Sequence, residues 1–187
     1  MNANIVILHV EDDPNDVDLI GLAFRKAGVN CRLIAVNDGV QAVSYLAGEG
    51  DYEDRDLHPF PDFALLDIKL PRKSGLEVLS WTRAQRNPAI KRLPIIMLTS
   101  SSQANDVNTA YDLGVNSYLV KPGDLGMLIE LVKTVFNYWV GLNMKPGREE
   151  VPVIARAGGS ISAPDATPGA APANWEPRIT WVKREVA

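Results

Sequence analysis

The chain has little of the chemistry that crosslinks, anchors or exports a protein. Its 187 residues include one cysteine, Cys31. An internal disulfide is therefore excluded, and a reducing compartment is implied. Beside an apolar run, such a residue reads as a small core side chain. There are only two histidines, His9 in an apolar run and His58 in a polar stretch. Neither has a partner at metal-ligand spacing, so core and solvent are their respective expected places. No basic, apolar, small-residue sequence opens the chain as a secretory signal would. No uninterrupted apolar stretch has the length of a bilayer span. Excess positive charge is missing as well. A net charge of −4 and a pI near 5.2 give no general attraction to nucleic acid or an anionic membrane. Gly-x-x-x-x-Gly-Lys-Ser/Thr does not occur, which argues against a P-loop enzyme. The 46% of hydrophobic and 22% of charged residues are what a folding chain carries. The expectation is a soluble, acidic, cytoplasmic protein.

What is present alternates between strand and helix patterns. Apolar runs over residues 5–10, 31–36, 63–66, 94–98 and 117–120 have strand length and turn-forming flanks. Between them lie helix patterns. Asp13 and Pro14 open the first, in the favoured places for a cap and an N1 proline. Asp16 adds negative charge near that N-terminus, the apolar stripe is Ile20, Ala23, Phe24 and Ala27, and Gly28 stops it. Asp38 caps a second helix, with Val40, Val43, Leu46 and Ala47 as its expected inner face. A third covers about 75–86, with Pro88 closing it. A fourth covers about 103–113. The last covers about 123–141, with Leu125, Leu128, Ile129, Val132, Phe136 and Trp139 as its stripe. Residues 48–62 form a long acidic loop. Five strand–helix units with short connections imply a parallel sheet covered on both faces. Strand order is not legible, and the doubly wound order is the natural candidate. After residue 143 the composition changes. Six of the 13 prolines lie from Pro146 onward, among Ala, Gly and Ser, which is linker-like. Near its end Trp175, Ile179, Thr180, Trp181 and Val182 suit a short strand, a docking segment or an unstructured end equally. The expected division is 1–143 as the domain and 144–187 as an extension.

The strand ends carry the chemistry. The first run ends in Glu11, Asp12 and Asp13, the third in Asp67, the fourth in Thr99 and Ser100, and the fifth in Lys121 and Pro122. Open α/β sheets bind ligands at this rim. Glu11, Asp12 and Asp67 suit Mg2+, which favours a few carboxylates, a carbonyl, waters and phosphate oxygens. Asp67 has the chemistry of a nucleophile that forms an aspartyl phosphate. Lys121 and the Thr99 hydroxyl can neutralise and hydrogen-bond an incoming phosphoryl group. Taken singly, Thr99 reads as a helix cap and Lys121–Pro122 as a turn. Four such sets at one end of one sheet do not fit that reading together.

Acids after strand one, Asp67 after strand three, Thr99-Ser100 after strand four and Lys121-Pro122 after strand five resemble the receiver domain of two-component response regulators. The likeness covers about residues 4–141. It implies a flavodoxin-like fold and transfer of a phosphoryl group from a histidine kinase to Asp67. It implies that the Lys69 main-chain carbonyl joins Glu11, Asp12 and Asp67 at the metal. It also implies that Thr99 and Tyr118 form a switch pair, that small Ser100 leaves the acceptor accessible, and that the Lys121–Pro122 bond is cis. Glu11 stands where Asp is commoner, and Lys69 and Ser101 flank the phosphoryl position. The acidic loop, the run Leu70-Pro71-Arg72-Lys73-Ser74-Gly75, and Phe136 with Trp139 further resemble the small single-domain regulators that partner bacterial phytochromes. That implies a light-sensing kinase and a homodimer through the last helix, because Tyr138 and Trp139 cannot both face the core.

Three other readings are weaker. A phosphatase of the haloacid dehalogenase type needs a second Asp two positions after the first, where Lys69 stands. A receiver-shaped module that never turns over phosphate would not need the full set of acids, acceptor, hydroxyl and lysine. A DNA-binding regulator needs a basic footprint, but from Lys145 onward there are six basic and five acidic residues and no helix-turn-helix pattern.

Overall fold

The sheet order is β5-β4-β3-β1-β2-β6, and every pairing in it is parallel. The computed structural model describes residues 5–144 and 180–181. The strands are β1 (Val6–Val10), β2 (Arg32–Val36), β3 (Phe63–Leu66), β4 (Ile95–Thr99), β5 (Ser117–Val120) and the two-residue β6 (Thr180–Trp181). The helices are α1 (Pro14–Ala27), α2 (Gly39–Ala47), α3 (Gly75–Ala84), the single turn α4 (Pro88–Lys91), α5 (Ala104–Asp112) and α6 (Leu125–Phe136). Strands β1 to β5 make the doubly wound flavodoxin-like sheet. Its order reverses between β1 and β3, which opens a crevice at their C-terminal ends.

Alternation along the strands divides the core into two layers. Val6, Leu8, Val10, Ala64, Leu66, Ile95 and Met97 meet α2, α3 and α5 on one face. Ile5, Ile7, Leu33, Phe63, Leu65, Ile96 and Leu98 meet α1 and α6 on the other. Both faces being covered explains why the strands are nearly continuous apolar runs.

The local signals for α1 hold. Asp13 accepts the Asn15 N–H, Pro14 is the first helical residue, and Gly28 ends the helix at φ 68°. Asp38 caps α2 through the N–H groups of Val40 and Gln41. The inner face of α2 matches the expected one at Leu46, with Val43 packed against the core, but not at Val40. Ala42, Tyr45 and Leu46 are buried while Val40 is 40% exposed. The Tyr45 hydroxyl donates to the Pro59 carbonyl at 2.7 Å, so the long loop supplies the partner that lets the phenol go inside. Arg55 from the same loop donates to the carbonyls of Tyr45 and Leu46 and closes the C-terminus of α2. Pro88 does not close α3. That helix ends at Gln85, and Pro88 instead opens α4 under an Asn87 cap. Arg83 donates to the carbonyls of Gly114, Lys91 and Leu93 and to Asn116 Oδ1, which clips α3 to the turn before β5.

α6 is capped by Asp124 and ends in a wide π-type turn over Asn137–Leu142. Leu128, Val132, Val135 and Trp139 are buried, whereas Tyr138 is 50% exposed. Leu125–Leu142 has a mean hydropathy of 1.2 over 18 residues, so by length and composition it reaches the minimum for a bilayer span. Glu130 and Lys133 interrupt it, so it is not the uninterrupted apolar stretch whose absence the sequence shows. This segment packs one face on the sheet as a core helix. The segment 178–183, whose sequence suits a short strand, a docking segment or an unstructured end equally, contains the two-residue β6, with Thr180 opposite Ile34 and Trp181 opposite Ala35. Most of the expected 144–187 extension lies outside the described residues.

Candidate functional site

Strand register brings the acids together. Val10 is opposite Leu66, so Glu11 and Asp67 leave adjacent strands at one level. The Asp67 N–H donates to the Val10 carbonyl at 3.1 Å, and the Glu11 N–H to the Val36 carbonyl at 3.0 Å. Glu11 and Asp67 are buried and Asp12 is exposed. One oxygen from each of the three lies within 4.8 Å of the others. Hard oxygen donors so gathered fit a divalent cation such as Mg2+. Lys69 stands two residues past Asp67 with its side chain exposed.

Lys121 reaches into this cluster. Thr99 is opposite Val120, and the Lys121 N–H donates to the Thr99 carbonyl at 2.8 Å. Its ammonium Nζ lies 2.5 Å from Glu11 Oε2, 2.7 Å from Asp16 Oδ2 and 3.6 Å from Asp67 Oδ2. Asp67 Oδ1 accepts the Ile68 N–H at 2.7 Å. That bond orients the carboxylate and leaves Oδ2 facing the ammonium. Burial pushes the Glu11 carboxyl up to about 6, against the opposing pull of Lys121. Burial alone would lower Lys121, but its hydrogen bonds to Asp16 and Glu11 and the charge of Asp67 raise it. Every described peptide bond is trans, Lys121–Pro122 included, so the expected cis bond is corrected. Trans is the lower form of an X–Pro bond by about 0.5–1 kcal/mol, and here the β4–β5 ladder delivers the ammonium without the isomer.

Thr99 is fully buried at the end of β4, and its Oγ1 accepts the Ser101 N–H at 3.3 Å. The Tyr118 ring packs against the α2/α3/α5 layer, and its hydroxyl donates to the Ser101 carbonyl at 3.0 Å. Ser100 is exposed. The loop after Asp67 is braced twice. A Cβ at Gly75 would collide with the Asp67 carbonyl, so only glycine allows α3 to begin this close to Asp67. Arg72, at φ 64°, pairs with the buried Asp38.

Sequence reasoning missed two neighbours. Asp16 reads as a charge at the N-terminus of α1, yet it holds Lys121. His9 is buried as expected, and burial followed by the Lys121 charge lowers it to about 3. Its proximity to Glu11 was not foreseen. The available signal was period two, which puts residue 9 on the strand that delivers residue 11.

The model of the response regulator receiver domain matches residues 7–133. The chain belongs to the response regulator receiver family. Receivers work in two-component signalling, and their general activity is to accept a phosphoryl group on an aspartate. This receiver is 37% identical to the response regulator Rcp1 of Synechocystis sp. over 135 residues, 72% of this chain and 88% of Rcp1. It superposes on the phosphorylated cyanobacterial phytochrome response regulator RcpA with a TM-score of 0.70 and 35% identity, covering 77% of this chain and 99% of that one. On the Mn2+-bound form of Rcp1 the TM-score is 0.66 at 36% identity, over 76% of this chain and 99% of the other.

Proposed function

We propose that Asp67 is the phosphoacceptor of this receiver and that a histidine kinase is the donor. The observation that carries the reading is the 3.6 Å between Lys121 Nζ and Asp67 Oδ2 inside the three-carboxylate cluster. Asp67 Oδ2 attacks the phosphorus of a phosphohistidine, the P–N bond breaks, and the imidazole leaves with the electron pair. Glu11, Asp12, Asp67 and the Lys69 carbonyl hold Mg2+, which neutralises phosphoryl oxygens when bound. Lys121 pairs with another phosphoryl oxygen, and the Thr99 hydroxyl bonds a third. No further reaction is assigned beyond self-catalysed transfer and autodephosphorylation. The test is incubation with acetyl phosphate and Mg2+ followed by intact mass. A phosphoryl mass increment is expected in the unmodified chain and not in Asp67→Asn. Label that persists in the variant moves the acceptor elsewhere.

Output then follows from changed protein contacts. Thr99 and Tyr118 are the switch pair, and phosphorylation biases an equilibrium that already exists between two arrangements. The relatives RcpA and Rcp1 support a phytochrome-type kinase as partner. Phosphotransfer from a bilin-binding histidine kinase, at a rate above that from unrelated kinases, is the expected result. Tyr111 on α5, Val120 on β5 and Met127 and Tyr138 on or after α6 are exposed, which supports a homodimer through the last helix and its neighbours. Sedimentation with and without beryllofluoride tests it, and a monomer in both conditions removes the dimer. The acidic net charge and the near-balanced charges beyond residue 144 support a cytoplasmic protein that binds neither DNA nor membrane.

A further inference from the structure

His9 is the buried side chain among the described residues whose polar atoms have no hydrogen-bond partner, and this holds for both ring nitrogens. It is 1% exposed. It lies on the β1 face that carries Ile5 and Ile7, where alternation asks for one more aliphatic side chain. Leucine there would leave no donor or acceptor unpaired. Buried polar groups without partners are exceptions that need an explanation. The neighbourhood supplies one. His9 Nε2 lies 4.0 Å from Glu11 Oε2, the same oxygen that Lys121 Nζ holds at 2.5 Å. One carboxylate oxygen thus has a bonded donor and a second donor just out of bonding range.

Lys121 gives two of its three donors to Glu11 and Asp16. A phosphoryl group on Asp67 Oδ2 would add negative oxygens beside the ammonium and compete with Glu11 for it. Glu11, 2% exposed, would then lose its donor while solvent cannot replace it. We propose that His9 is a positioning residue for Glu11: as Lys121 turns to the phosphoryl group, the His9 Nε2–H takes the vacated place on Glu11 Oε2. The imidazole stays neutral, so a hydrogen bond changes hands and no proton moves. The inference rests on the reading of Asp67 as acceptor and adds the residue that keeps its metal ligand in place.

The experiment uses the full chain with 15N-labelled histidine, and Mg2+ with beryllofluoride as the phosphoryl stand-in. The chain has two histidines, so His58→Asn assigns the His9 signals. On addition of the probe, 19F resonances of bound beryllofluoride should appear while the His9 Nε2–H moves downfield and exchanges more slowly. His9→Leu should weaken binding of Mg2+ and beryllofluoride roughly ten-fold, as loss of a ligand-orienting partner does. His9→Gln, which offers an amide N–H, should restore most of it. A purely structural role predicts instead that His9→Leu binds the probe as the unmodified protein does. That result overturns the hand-off, as does an imidazole signal that is unchanged or already protected before the probe. In either case the 19F resonances leave the acceptor reading standing. Their absence from the unmodified protein overturns both. Should His9→Leu fail to fold, the labelled unmodified protein decides alone.

Discussion

Thr99 and Tyr118 are bonded to the same residue. The Ser101 N–H donates to Thr99 Oγ1, and the Ser101 carbonyl accepts from the Tyr118 hydroxyl. The Ser101 hydroxyl donates onward to Asp106 in the first turn of α5 at 2.6 Å. Moving the Thr99 hydroxyl toward Asp67 therefore unloads the residue that anchors both the aromatic ring and the start of α5. One bond change is thereby coupled to a helix, which is how a local event gains a distant readout.

Thr99→Val keeps the branched shape and removes Oγ1. The buried Ser101 N–H then lacks its acceptor, at a cost of about 1–3 kcal/mol. Tyr118→Phe removes the bond at the other end of Ser101. The two losses should not add, with a coupling of about 0.5–3 kcal/mol in a urea-unfolding double-mutant cycle. Amide shifts of residues 101–106 induced by beryllofluoride should shrink in both variants. Strict additivity would mean that Ser101 does not link the pair.

Gly75→Ala places a methyl group against the Asp67 carbonyl. Backbone cannot yield as a flexible side chain can, so a loss of about 1–3 kcal/mol is expected from overpacking. Because the displaced group belongs to Asp67, the proposed acceptor, labelling by acetyl phosphate should slow as well. Gly123→Ala, where an added Cβ meets nothing within 4 Å, is the control and should change neither.

Local chemistry made α1 legible, because Asp13, Pro14 and Gly28 each satisfy a backbone requirement within their own segment. The rim acids were legible for a similar reason: a carboxylate after an apolar run is visible without knowing its neighbours. The inner face of α2 was legible only in part. Val40 and Tyr45 both sit at helical spacing, and the choice between them depends on the Pro59 carbonyl in a loop that only the fold brings near. Pro88 was misread because a proline that stops one helix and one that starts another look alike in sequence. Asp16 escaped notice because its partner Lys121 is 105 residues away.

Removal of residues 144–187 tests the domain division. Among the described residues, the two core layers contain none beyond Val140. The shortened chain should therefore fold cooperatively and accept a phosphoryl group on Asp67 at an unchanged rate. Its β2 edge would lose the pairing with β6, and an unpaired strand edge favours association. Loss of folding would place residues of the extension inside the domain.

Acid should destabilise the protein through His9. Its native value of about 3 lies below the unfolded 6.5, so the unfolded chain binds the proton more readily. That contribution is complete above pH 6.5 and is lost as pH falls toward 3. Glu11 has the opposite sign. Its native value of about 6 lies above the unfolded 4.5, so its contribution is complete below pH 4.5 and is lost as pH rises through 6. The His9 shift is the larger, and stability should fall as pH drops from 6.5 to 4.5. In His9→Leu only the Glu11 contribution remains, so that slope should reverse and stability should rise as pH falls. Urea midpoints across this range measure it, and equal slopes in both proteins would refute the assignment.

Lys121→Met removes the cation shared by Glu11, Asp16 and Asp67. Taking one partner from a buried ion pair costs about 3–5 kcal/mol. Two features reduce that here: Asp16 reaches solvent, and Glu11 already sits at about 6 and can take up a proton. Mg2+ should then act differently on the two proteins. In the unmodified receiver the ammonium already offsets part of the carboxylate charge, whereas in the variant the cation meets all of it. Saturating Mg2+ should therefore raise the melting temperature of Lys121→Met more than that of the unmodified chain, because binding to the native state alone stabilises it by an amount that grows with the logarithm of affinity. Phosphoryl acceptance should nonetheless fall roughly 10²-fold, since a metal on the acids does not replace the donor aimed at the transferring oxygens. Equal thermal shifts in the two proteins would show that the ammonium and the cation do not answer the same charge.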